Sequence, residues 1–496
     1  MNTKLHTLSL VIGLALSSTS MMVLAEDTGY ETIVVSGQKI DRSIKETPTS
    51  VVVLTEEALE KQNAHNISDV FSNMANVSGD MQQGFSIRGI DAFNVSGGGN
   101  SYLATMYLDG APLSYRVVRS GAVPIWDVAQ VEVFRGPQST LQGRNALAGA
   151  VHIRTHEPTY EWSGKAKVTT GTHGQQEFAF AGGGAIIEDM LAFRVSYEDK
   201  ESDGDIDNIT RNGPSNYEDT SSARFKLKFE PTDTFKALFN YTKTESELGP
   251  AWSTFNLGGS PFDRQTWFNS PVWIATDSDM FTLELNWELS DELSLVSVIT
   301  TDETDYTYNW DGDMTAEQLT ADNHYKRLDE TDSLDLRLTY DGDDLQLVTG
   351  IYTSKLEVAD KSLGERHIGL QAATGAEFST LLTGFLMQNG LDLQTAMATA
   401  GQIVPLYPDI DPIVLSFNTS IAQEVKSSAV YADVTYHLTD NLELLAGLRY
   451  DKEEQSNASN ALYTIDNQMP APSALPAPVN QLVAGVNAYL NSFATA

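Results

Sequence analysis

The sequence predicts a transmembrane antiparallel β-barrel preceded by a compact mixed α/β module. From Trp162 onward, apolar and polar residues alternate with a period of two in one segment after another. Short acidic turns and long polar connections take turns between those segments, as they do in bacterial outer-membrane barrels. Beyond the N-terminal leader no uninterrupted apolar run reaches membrane-helix length, so no spanning helix is expected.

The leader comes first. MNTKLHT carries a lysine, LSLVIGLAL is an apolar core, and VLA at Val23–Ala25 presents small residues before EDTGYE. Residues 1–25 therefore read as a secretory signal peptide cleaved after Ala25, the core being too short to favour an uncleaved anchor. ETIVVSGQ then places the β-branched Ile33, Val34 and Val35 between Thr32 and Ser36. It reads as a strand with nothing to pair with, and the charged Lys39, Asp41 and Arg42 follow it. Residues 26–40 are thus a strand and a tether.

Residues 41–160 do not read as barrel. ALEKQNAHNISDVFSNMANV has helical spacing, with Leu59, Ile67, Val70, Phe71 and Met74 as a buried stripe. Short strands follow at FSIRGI and ATMYLDGAPL, where Asp109-Gly110 makes a turn. VEVFRGPQSTLQGRNALAGAVHIRTHEP adds a strand, a Gly-Pro turn, a glycine-spaced connection and a second strand.

Residues 161–496 are the barrel portion. In ARFKLKF, Ala223, Phe225, Leu227 and Phe229 share one face and Arg224, Lys226 and Lys228 the other. FTLELNWEL, LDLRLTY, AVYADVTYHL and LELLAGLRY repeat the pattern. Turns fall at IIEDM, EPTDT, LSDEL, YDGDD and LTDN; long connections span Asp199–Thr220, Glu245–Asp277, Asn309–Glu330 and Ala359–Glu424. Trp287, Tyr340 and Tyr436 precede short turns, where an aromatic girdle would lie. A soluble β-sandwich or secreted sugar-binding barrel also alternates, but its inner face would be the apolar one. About eleven strands fit between Trp162 and Lys452, an odd number that leaves open edges. The Pro-rich MPAPSALPAPVN and LVAGVNAYLNSFATA read as one more outer loop, partly helical, and the sequence looks cut short.

Composition narrows the function. The 496 residues hold 31 Lys+Arg against 67 Asp+Glu, a net charge of −36, with only −4 of it before Glu161. Such a chain has no electrostatic footprint for nucleic acid. It has no cysteine, so neither disulfides nor thiolate metal sites can form. Asp203, Asp205 and Asp207 have calcium-loop spacing, but Asn208 and Pro214 stand at the required Gly and Glu positions. His152 and His156 do not alone make a metal site, and no hydrolase, P-loop or dinucleotide fingerprint occurs. No enzymatic function, cofactor or resident metal is expected.

In this order of motifs the chain resembles the TonB-dependent outer-membrane receptors, in which a plug domain fills a barrel of about 22 strands. VEVFRGPQSTLQGRNALAGAVHIRT is similar to the longest plug motif, SIRGI to its internal Arg-Gly motif, and MYLDGAPL to the strand before its apical loop. ETIVVSG resembles the TonB box, which makes Glu31, Thr32, Ile33, Val34, Val35, Ser36 and Gly37 the expected TonB-binding residues, joined by β-augmentation. TonB with its inner-membrane energising complex is the implied partner, beside outer-membrane lipid and a small-molecule ligand. By the same resemblance Arg88, Arg135 and Arg144 would seat the plug against acidic wall groups. Apical-loop residues Gln82, Gln83, Asn94, Tyr115, Arg116 and Arg119 would meet ligand, the last three by stacking on or pairing with an anionic chelate.

The implied function is active uptake of a scarce solute across the Gram-negative outer membrane. An iron(III) siderophore is the first expectation because it is the family's commonest cargo; sugar, haem and cobalamin use the same architecture. The alternative is an incomplete, non-transporting product, since NSFATA is not a terminal aromatic strand. A signal-transducing receptor is disfavoured, because only EDTGY separates Ala25 from Glu31.

Overall fold

The computed structural model describes residues 34–40, 42–45, 47–80, 84–93, 102–138, 140–142, 146–250, 260–317, 322–439 and 442–492. The leader with Ala25, and Glu31, Thr32, Ile33, Gln82, Gln83, Asn94 and Arg144, lie outside the described residues.

The N-terminal strand is not unpartnered. β1 (Val34–Val35) pairs antiparallel with β2 (Arg42–Ser43), because the polar tether turns straight back. β3 (Val51–Thr55) follows, then a small antiparallel sheet of β4 (Val77–Asp80), β5 (Gly84–Ile87) and β6 (Ile90–Asp91). β7 (Ala104–Leu108), β8 (Ala111–Pro112), β9 (Val128–Arg135) and β10 (Gly149–Thr155) complete a central sheet ordered β3–β9–β10–β7–β8. Only β10 and β7 in it run parallel. Asp109 and Gly110 join β7 to β8 with φ of 47° and 86°, the left-handed pair a two-residue hairpin loop requires.

The expected single helix is two, Glu56–Lys61 and Ile67–Ser72. Asn66 starts the second with a capping box: its side chain accepts from the Asp69 amide at 3.0 Å, and the Asp69 carboxylate accepts from the Asn66 amide at 3.2 Å. Leu59, Ile67, Val70, Phe71 and Met74 are buried together in the module's core, as their spacing required. Burying side chains of this size contributes about 1.5–3 kcal/mol each.

The second half is one antiparallel sheet in sequence order: β11 (Ser163–Thr170), β12 (Gln176–Ile187), β13 (Leu191–Ser202), β16 (Glu218–Thr232), β17 (Phe235–Leu248), β19 (Trp273–Ser290), β20 (Leu293–Asp311), β21 (Asp322–Asp341), β22 (Leu345–Ile368), β23 (Ile413–Thr439) and β24 (Leu442–Ile465). The short β14 (Asp207–Asn208), β15 (Gly213–Pro214) and β18 (Gln265–Thr266) pair with one another in the intervening loops. All eleven expected strands are present, but longer than expected. β23 has 27 residues, whereas a tilted strand crosses a bilayer in about 9–11. The excess lies at the long-loop end, so the ladders run well into the segments read as polar connections.

Alternation sorts the two faces as the sequence implied. Arg224 and Lys226 of β16 are buried against the N-terminal module, while Phe225 and Phe229 are exposed on the opposite face. Trp287 and Tyr436 lie exposed on that outer face beside short turns. Higher on it, Asp279, Glu303, Glu330, Glu357 and Glu424 stand directly opposite one another on five adjacent strands.

The connection read as polar between Ala359 and Glu424 is instead strand at both ends, to Ile368 and from Ile413, with a folded helical cap between them. Helices Leu370–Thr374, Phe378–Gln388 and Leu393–Ile403 pack with the helix Val479–Asn491 that follows β24. Leu382, Leu386, Ala400, Ile403, Val483, Val486 and Leu490 form its core. Tyr407 fastens the two insertions by donating its hydroxyl to Asn487 Oδ1 at 2.7 Å. The segment after β24, expected to be partly helical, carries the helix Val479–Asn491.

Candidate functional site

At the loop end of the sheet, the helix Tyr115–Ser120 presents a floor of aromatic rings and guanidinium groups. Ser114 caps this helix by accepting from the Arg116 amide at 3.2 Å. Tyr115 stacks on Tyr102 with centroids 5.5 Å apart and meets Phe93 edge-on at 4.8 Å. Arg116 reaches the wall. Its guanidinium lies 4.8 Å from the Tyr306 ring and 5.3 Å from Tyr325, and it donates to the Tyr325 hydroxyl at 3.0 Å. Tyr308 stacks on Tyr325 at 4.8 Å. Arg119 is exposed and donates to the Tyr115 hydroxyl. Neither arginine forms an ion pair among the described residues. Tyr115, Arg116 and Arg119, singled out by sequence, do come together; Tyr306, Tyr308 and Tyr325 were missed. Their alternate spacing on strands was the available signal.

Below this floor, charge seats the module on the wall with a polarity the resemblance did not suggest. Arg88 lies exposed and Arg135 donates to the Ala75 carbonyl at 3.0 Å, inside its own module. Among the described residues neither meets an acidic wall group. The seats on β11–β17 are instead module carboxylates against wall cations. Asp127 accepts from Arg194 Nε and Nη2 at 2.7 and 2.6 Å, a bidentate pair. Asp109 pairs with Lys226 at 3.0 Å and accepts from Asn240 at 3.1 Å. Glu56 pairs with Lys165 and lies 2.8 Å from His156 Nε2. Burial would raise each of these carboxyls. The neighbouring cations outweigh it and hold Asp109, Asp127 and Glu56 below the usual carboxylate range.

The strand segment is docked rather than free. Ser36 donates its amide and hydroxyl to Glu132 Oε1 at 3.2 and 3.0 Å, and the Gly37 amide donates to Oε2 at 2.9 Å. Gln130 donates to the Val34 carbonyl at 2.9 Å, and Gln142 donates to that of Gly37. At Gly37 a Cβ would sit 2.5 Å from the Phe134 ring, so only glycine fits. Lys39 then bridges to the wall, pairing with Asp335 and donating to the Tyr431 hydroxyl at 3.1 Å. Burial pulls its ammonium down to about 8 against the attraction of Asp335. His152, stacked on Tyr107 at 4.8 Å, is pushed down to about 3 by burial and is a neutral packing group.

Two family descriptions match this arrangement. Residues 43–150 match the TonB-dependent Receptor Plug Domain, and residues 225–474 match the TonB dependent receptor-like β-barrel. The chain belongs to the TonB-dependent receptors. Its N-terminal module is the plug, its sheet is barrel wall, and it resides in the Gram-negative outer membrane, among receptors rather than enzymes. The ferrioxamine receptor of Yersinia enterocolitica is 23% identical over 89% of this chain and 60% of its own length. An iron-regulated outer membrane virulence protein of Vibrio cholerae is 28% identical over 33% of this chain and 26% of its own. The crystal structure of the ferric yersiniabactin uptake receptor of Yersinia pestis superposes with a TM-score of 0.65 at 17% identity, covering 85% of this chain and 62% of that receptor. The chain thus spans between about a quarter and three fifths of the length of these relatives.

Proposed function

We propose that this receptor imports a ferric siderophore, with TonB and its inner-membrane energising complex supplying the work through the segment that contains Glu31–Gly37. The floor of Tyr102, Tyr115, Arg116, Arg119, Tyr306 and Tyr325 carries the reading. Iron(III) chelators present anionic oxygens around a hydrophobic or aromatic frame. Two guanidinium groups without carboxylate partners among the described residues, set among stacked rings, complement that chemistry. The iron-related names of the relatives point the same way.

Val34, Val35, Ser36 and Gly37 carry the TonB-binding proposal within the described residues. Their docking on Glu132 means that TonB must compete for backbone groups already in use. Residues 26–40 serve as box and tether, 41–160 as plug and 161–496 as barrel wall in this reading.

Growth and uptake test it. A strain lacking the receptor is expected to lose growth on at least one ferric siderophore as sole iron source, and Arg116→Ala to weaken binding of that chelate. A strain that grows normally on every ferric chelate, yet fails on one sugar, haem or cobalamin, would overturn the iron assignment.

A further inference from the structure

Three cavities line up along one side of the plug. The lowest, about 450 Å³, opens among the short turns at Ser290–Leu293 and is lined by Lys39, Arg154, Glu284 and Arg337. Those four residues also line a middle cavity of about 130 Å³, which rises to Asp109, Gly110 and Pro112 on the plug and Val298, Ser333 and Tyr352 on the wall. Pro112, Tyr107 and Tyr352 continue into a third, about 50 Å³, that ends at Tyr102 and Ser114. Tyr102 and the Ser114-capped helix belong to the aromatic floor, so the series joins that floor to the turn end of the sheet.

The closures along this line are few: two ion pairs, Lys39–Asp335 and Asp109–Lys226, and small contacts above them. Ser114 donates to Asp329 Oδ2 at 3.0 Å across the upper neck. At the hairpin, a Cβ on Gly110 would lie 3.4 Å from Val298 Cγ1, so plug and wall just touch there. Lower down, Ser36 and Lys39 of the docked strand segment form one wall of both lower cavities. Farther round the plug, by contrast, β11 and β13 hold Glu56 and Asp127 in ion pairs, whereas the Asp109–Lys226 pair borders the middle cavity itself.

We propose that the solute crosses along this seam, between the Tyr107–Ser114 edge of the plug and wall strands β19–β22, while the plug stays seated on β11 and β13. The inference rests on the import reading and adds the side on which passage occurs. The lining alternates Lys39, Asp335, Arg337, Glu284 and Ser333 with the rings of Tyr107 and Tyr352. Such a lining suits a compact polar solute that exchanges water for hydrogen bonds step by step, and the narrow neck between Pro112 and Tyr352 sets the size limit.

The 496 residues contain no cysteine, so cross-links can be placed at will. In the full-length receptor in its own membrane, Ser114→Cys with Asp329→Cys bridges the neck, and Glu56→Cys with Lys165→Cys bridges the opposite side. Each pair is closed with a short bis-maleimide, to which both thiols add, and energised uptake of a ferric siderophore is compared with the same protein unbridged. Closing the neck pair is expected to cut uptake about tenfold or more, and closing the opposite pair to change it by less than about twofold. Undiminished uptake through a closed neck, or loss of uptake with the opposite pair closed, overturns the proposal.

If the unbridged proteins import no ferric siderophore, the import reading fails separately, and thiol labelling decides the seam. A cysteine at Ser333 is expected to label faster from the periplasmic side when the periplasmic domain of TonB is added, whereas one at Ser222, buried on β16, is not. Equal response at the two positions overturns the seam.

Discussion

The plug meets two walls of opposite character. On β11–β17 the wall supplies Lys165, Arg194, Lys226 and Lys236, and the plug answers with Glu56, Asp109, Asp127 and Glu157. On β20–β23 the wall supplies Asp329, Asp335 and hydroxyls, and the plug answers with Ser114, Lys39 and Arg42. The first contact is a set of interlocking charge pairs. The second is sparser and lies beside cavities, and it includes the segment expected to be pulled. Buried charge pairs hold position strongly because removing either partner strands the other. A seam closed by the Lys39–Asp335 pair and a few hydrogen bonds beside cavities opens at lower cost. A strong overall negative charge therefore says little about how the plug is held. Which side carries the charge decides where it yields.

Acid should blur this difference most, because it strikes several seats together. Asp109, Asp127 and Glu56 are held below their unfolded values, so the stability they contribute is complete above the ordinary carboxylate range and is lost as pH falls through their lowered folded values. Protection of Trp126–Val128 in hydrogen exchange is expected to stay flat from neutral pH to about 4 and to collapse below it. A decline beginning near pH 6 would contradict the assignment.

A single substitution should do less, in proportion to burial. Asp127→Ala leaves Arg194 uncompensated against the plug and should cost about 3–5 kcal/mol, read as earlier plug release in denaturant or protease digestion. Adding Arg194→Ala should recover part of that loss, since no charge is then stranded. On the other wall, Lys39→Ala should cost about 1.5–3 kcal/mol locally. Its readout is faster labelling of a cysteine at Val35, with release of the plug unchanged. The smallest effect lies on the outer face, where Glu303 stands opposite both Asp279 and Glu330. Glu303→Gln should stabilise the sheet by about 0.2–1 kcal/mol at low salt, detectable as a small rise in melting temperature that disappears at high salt.

Much of the fold was legible because period-two alternation survives any choice of partner. Arg224 and Lys226 against Phe225 already separated inner from outer face, and the paired turns and loops gave the count of strands. The capping box at Asn66 was legible too, but the long apolar stripe hid the break it causes. The helical cap was missed although Phe378, Leu382 and Leu386 stand at helical spacing. The stretch was read as part of one long polar connection, and their buried partners Val483 and Val486 lie far along the chain. The seats of the plug were not legible at all. Arg194 and Asp127 are ordinary residues until the fold brings them to 2.6 Å. Of the site, Tyr115, Arg116 and Arg119 could be read from one loop, whereas Tyr306 and Tyr325 needed strand register to reach them.

Hydrogen exchange of the full-length receptor in outer-membrane vesicles, with and without the periplasmic domain of TonB, tests the two-wall account most directly. Faster exchange is expected in Val35–Lys39 and in the inward-facing stretch Ser333–Arg337, with Ser163–Thr170 and Leu191–Ser196 unchanged. Faster exchange in β11–β13, with Ser333–Arg337 still protected, would contradict it.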